Sequence, residues 1–75
     1  MRPLNIIARD IARHWPDPYY AARPYLLAMS RVEKITDTYY YDSASSIVRY
    51  FLSNAGTWRG PEAHRIKAEL KEMLK

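Results

Sequence analysis

The chain contains no cysteine and only two glycines. Without thiols it has no disulfides, no zinc–thiolate site and no cysteine nucleophile. With glycine only at Gly56 and Gly60, there is no glycine-rich loop to cradle a phosphate. No apolar run approaches the ~18 residues of a membrane span, so no membrane partner is expected. What remains is packing, alone or with a second subunit. The 75 residues are read as one domain, 1–75, of a size whose core rarely supplies more than roughly 3–5 kcal/mol of net stability.

The composition, 48% apolar and 27% charged, is that of a globular chain rather than a disordered one. A net charge of +4 favours an anionic partner, either nucleic acid or an acidic protein surface. The opening "MRPLNIIARDIARHW" carries three arginines, as a transit peptide would. Asp10, the absence of serine and the lack of a small-residue cleavage site point instead to mature structure in a cytoplasmic protein.

Apolar spacing predicts an all-α fold, a small compact bundle of three to four short helices. The first helix is expected from Pro3 to His14, with Leu4, Ile7, Ala8, Ile11 and Trp15 on one stripe. "WPDPYY" breaks it, and Asp17 with Pro18 reads as a capped start. Pro24 in a helix interior would cost ~3 kcal/mol, so either one longer helix kinks there or, as expected, a short turn over 18–22 precedes a helix of about 24–34. Its stripe is Tyr25, Ala28, Met29 and Val32, with Ile35 at the edge. The third helix, about 43–54, buries Ala44, Ile47, Val48, Phe51, Leu52 and Ala55, with Asn54 and Gly56 as left-handed stops. The last starts at Gly60 or Pro61 and buries Ala63, Ile66, Leu70, Met73 and Leu74. "TYYYD" is β-prone but reads as too short and isolated to pair.

Helices three and four, joined by a short glycine-containing turn, invite a helix-turn-helix reading. The second helix of such a motif offers basic and polar side chains at its start. "GPEAHR" does not, and Glu62 would repel a phosphate backbone. Trp58 is therefore read as a plug at the corner between two core helices.

Two sets of residues are candidates for binding. Seven tyrosines is a high number, and Tyr19, Tyr20, Tyr39, Tyr40 and Tyr41 cluster in loops where they cannot all face a core. Exposed tyrosines bury large area at low entropic cost, so this set is the expected protein-binding surface. Arg2, Arg9 and Arg13 on the first helix, with His64, Lys67, Lys71 and Lys75 on the last, form the expected surface for an anionic partner. His14 and His64 lie on separate helices, and Asp37 with Asp42 is a lone carboxylate pair. No enzyme activity, metal or cofactor is expected.

The segment "DSASSIVRYFLSNAGTWRGPEAHRIKAELKEML", with "ARPYLLAM" upstream, resembles short uncharacterised proteins encoded in bacteriophages and prophages. The resemblance covers most of the chain and carries over no activity and no binding residue. It implies a context, the cytoplasm of a host cell. Small phage accessory proteins often occlude a host protein, as anti-CRISPR and other anti-defence inhibitors do, while others bind nucleic acid as regulators. The expectation is thus a non-catalytic module that binds and inhibits or modulates a host protein. The alternative is a small basic nucleic-acid-binding regulator, and a homodimer through the tyrosines is a third reading.

Overall fold

The computed structural model describes residues 2–75. Pro3 precedes helix α1, Leu4–His14, where its missing N–H leaves no helical bond unmade. Leu4, Ile7, Ala8 and Ile11 are buried along one stripe, and Trp15 closes it. The Leu4 amide donates to the Glu33 carbonyl at 2.8 Å, tying the first turn to the middle of the chain.

A short 3₁₀ turn, Tyr20–Ala22, leads directly into α2, Arg23–Met29, with Pro24 in the first turn. Proline thus sits at a helix start rather than in an interior, as its chemistry requires. Two details differ from the sequence expectation. Asp17 caps nothing; its carboxylate pairs with Arg23 at 2.9 Å. The second helix also stops at Met29 instead of continuing to about 34. One Asp37 oxygen accepts the amides of Glu33 and Lys34, each at 3.0 Å. Side-chain capture of this kind competes with helical bonding. Val32 is nevertheless buried, on the turn that follows.

The strict all-α expectation is corrected by a two-stranded antiparallel hairpin. Thr38–Tyr39, strand β1, pairs with Asp42–Ser43, strand β2, in the register Thr38↔Ser43 and Tyr39↔Asp42. "TYYYD" pairs after all because its partner strand is its own continuation into the next helix. Among the described residues the architecture is four α-helices and one short 3₁₀ turn with this one small ribbon.

Ser43 ends the hairpin and caps α3, Ala44–Ser53, accepting the Ser46 amide at 3.2 Å. Ala44, Ile47, Val48 and Phe51 face the core. The expected left-handed stops are absent from Asn54 and Gly56. Asn54 instead donates its side-chain amide to the Tyr50 carbonyl at 2.8 Å. The Lys67 ammonium donates to the carbonyls of Ala55 and Trp58, both at 2.6 Å. Side chains thus satisfy the carbonyls after α3, and the positive φ, 112°, falls at Gly60, just before α4, Pro61–Met73. Ala63, Ile66 and Leu70 bury that helix.

Trp58 is buried at the corner between α3 and α4, and its ring stacks on Trp15 at 5.5 Å and 6°. Trp15 in turn meets Phe51 edge-on at 6.2 Å. This cluster joins the end of α1 to the α3–α4 corner. A charged clasp fastens the other side of α1. Arg2 reaches Asp10 at 2.8 Å and Glu69 of α4 at 2.7 Å, and Arg65 lies 3.5 Å from Asp10. Among the described residues, no helix is long and apolar enough to cross a membrane.

Candidate interaction surface at an aromatic hairpin

The hairpin is held at both feet. On one side the Asp37 carboxylate is bonded to two main-chain amides, which hold its pKa below the usual carboxylate range. The Asp37 carbonyl also accepts the Ala44 amide at 2.8 Å, joining the hairpin base to the first turn of α3. On the other side, the Ser43 hydroxyl is fixed by its capping bond and by Ser46 Oγ at 2.8 Å.

Between these anchors the chain reverses in two residues, Tyr40 and Tyr41. Such tight hairpin loops need positive φ and favour Asn-Gly or Asp-Gly. Tyr40 adopts φ 57°, the only positive value at a non-glycine among the described residues. A bulky side chain in this region costs roughly 1–2 kcal/mol. Strain of this kind persists where surrounding structure imposes it, and it concentrates at functional sites. The loop presents both rings to solvent: Tyr40 is 83% exposed and Tyr41 fully so. Tyr39, by contrast, packs on the core and meets Tyr40 edge-on at 4.7 Å.

The other predicted tyrosines form a separate pair before α2. Tyr19 and Tyr20 meet edge-on at 4.8 Å and are exposed. The adjacent Tyr20 hydroxyl raises the pKa of the Tyr19 hydroxyl above its ordinary range. A third pair escaped the sequence reading. Tyr25 of α2 and Tyr50 of α3 stack at 5.5 Å, with Tyr50 55% exposed. Its signal was present, because Tyr50 falls between the buried positions Val48 and Phe51 on a helix whose apolar stripe is complete without it.

The predicted basic residues divide. Arg2 is consumed by the α1–α4 clasp, and its bonds to Glu69 and then Asp10 raise it above the ordinary arginine range. The same contacts hold Glu69 and Asp10 below the usual carboxylate range. Lys67 is turned onto the Ala55 and Trp58 carbonyls and lies 5.8 Å from the Trp58 ring centre. Burial, with Lys71 and Arg59 nearby, pushes it below the ordinary lysine range. Lys75 pairs with Glu72 at 3.1 Å. Arg9, Arg13, His64 and Lys71 are exposed and, among the described residues, have no carboxylate within ion-pair distance. The expected basic face on α4, His64, Lys67, Lys71 and Lys75, is therefore reduced to two free members, His64 and Lys71.

His14 lies 3.0 Å from Asp10 within α1, and the described residues include no group of three His, Asp or Glu side chains placed to hold a metal. Compared with known protein families, with curated proteins and with solved structures, the chain matches none. What the geometry offers is aromatic display: paired rings and hydroxyls raised on a mostly helical scaffold, suited to burying area against another surface.

Proposed function

We propose that the chain is a non-catalytic binding module whose Tyr40–Tyr41 loop inserts into a protein partner and occludes it. The observation that carries this is the strained φ of Tyr40 at a tip where glycine or asparagine would fold more easily. A residue kept against its own backbone preference is best explained by what its side chain touches. The resemblance to phage and prophage accessory proteins suggests the kind of partner, a host protein inhibited in an anti-CRISPR or other anti-defence role. Tyr19 and Tyr20 extend the aromatic surface, and the net positive charge favours an acidic rim on the partner.

The alternative, a nucleic-acid-binding regulator, rests on the exposed Arg9, Arg13, His64 and Lys71. It lacks Arg2 and Lys67, whose donors are already engaged. Capture from a nuclease-treated host lysate by wild-type protein and by Tyr40→Gly tests the proposal directly. Glycine relieves the strain, so Tyr40→Gly is expected to fold at least as stably while losing the captured protein. Full capture by the glycine variant would remove the hairpin from the interface. Capture lost only on nuclease treatment would favour the alternative, and concentration-dependent sedimentation of the isolated chain would assign the tyrosines to a homodimer.

A further inference from the structure

A second surface, remote in sequence from the hairpin, lies between α1 and α2. The two helices leave an open groove of about 390 Å³. Ala8 and Leu26 are among the apolar residues lining it, and Leu27 stands 55% exposed beside them. Arg9 and Arg23 also line it, with no carboxylate among the lining residues. Arg9 has no ion-pair partner among the described residues. Arg23 holds only Asp17 and the Pro18 carbonyl, in an exposed pair of the kind that contributes little and exchanges readily.

A further feature is independent of charge. Asn5 lines the same groove, and its Oδ1 is buried without a hydrogen-bond partner. A buried acceptor left unpaired is uncommon in a folded chain and calls for an explanation. The terminal torsion of asparagine is soft. Rotation about it would turn the oxygen toward a main-chain N–H of a segment lying in the groove.

From these features we infer that the α1–α2 groove docks a short acidic, leucine-bearing segment of a partner protein, held in extended form. Leucine covers Leu27 and the apolar floor, carboxylates meet Arg9 and Arg23, and the Asn5 amide pairs with the segment's backbone. Nucleic acid fits less well. No aromatic ring lines the groove, and single strands are held largely by base stacking on such rings. An exposed leucine offers a phosphate backbone nothing.

The test is an NMR titration of the full chain with a synthetic peptide of leucines flanked by aspartates. A lysine-for-aspartate counterpart and a single-stranded oligonucleotide serve as controls. The acidic peptide should saturate with a Kd at or below about 1 mM and shift the amides of Asn5, Arg9 and Leu27. Arg9→Glu and Leu27→Asp, both at exposed positions, should each weaken it roughly tenfold or more with helical circular dichroism retained. Tyr41→Ala should bind it unchanged, which separates this groove from the hairpin. Absence of saturable shifts would overturn the inference, as would shifts centred on the hairpin. Equal binding by the lysine peptide or by the oligonucleotide would overturn it too.

Discussion

Two of the aromatic clusters of this molecule are built in opposite ways. At the Trp15–Trp58–Phe51 corner, the rings are buried, with Trp15 stacked on Trp58 and edge-on to Phe51, and none has a positive φ. At the hairpin, two tyrosines stand in water on a loop that strains one of them. The first arrangement lowers the free energy of the folded chain, and the second raises it. An aromatic ring in a small domain is therefore not evidence of core by itself. Its burial and the backbone it demands decide whether it supports the fold or is supported by it.

The sharpest way to break this contrast is Trp58→Ala. Removing a large buried aromatic costs about 3–5 kcal/mol, comparable to the whole net stability of a domain this size. Urea or thermal unfolding should show loss of most of the folded population. A variant that melts like wild type would mean the corner is not where stability resides.

The charged clasp comes next. The Arg2 guanidinium holds Asp10 and Glu69 below their ordinary pKa values. Their contribution is thus fully present above the normal carboxylate range and is lost as pH falls through the lowered folded values. Arg2→Leu should destabilise the protein by about 1–2 kcal/mol at neutral pH, since it leaves two partly buried carboxylates without their main partner. It should also flatten the acid limb of a stability–pH curve. An unchanged acid limb would show that Arg2 is not the group responsible.

Smaller effects, of opposite sign, belong to the hairpin. Tyr40→Gly should stabilise the protein by roughly 1 kcal/mol, measured as a rise in the urea midpoint, because the left-handed penalty disappears. Part of that gain is offset by the greater entropy of an unfolded glycine. Tyr41→Ala should change stability by no more than about 0.5 kcal/mol, as expected for an exposed residue. A large loss on either substitution would make the hairpin structural and remove the contrast with the corner.

The helical stripes were readable because they depend on local periodicity alone: Leu4–Ile7–Ile11, Ile47–Val48–Phe51 and Ala63–Ile66–Leu70 are all buried as their spacing implied. Pro24 at a helix start and Trp58 at a corner followed from local chemistry and size. Of the candidate surface, the exposed Tyr19, Tyr20, Tyr40 and Tyr41 were visible as an excess beyond what the stripes could bury, whereas the Tyr25–Tyr50 pair was not. The hairpin geometry that displays Tyr40 and Tyr41 was not. Nor were the fates of Arg2 and Lys67, which depend on Glu69 and on the Ala55 and Trp58 carbonyls, brought near by folding.

The amino-acid sequence by itself therefore determined where helices form and which faces they bury, because hydrophobic periodicity acts within a single element. Only the tertiary structure decided where α2 stops, that Thr38–Tyr39 finds a strand partner, and which cations remain free. Those outcomes turn on hydrogen bonds and ion pairs made outside regular helices. The Asp37 carboxylate takes the amides that would have extended α2, and the carbonyl of the same residue takes the Ala44 amide at the base of the loop that raises Tyr40 into solvent.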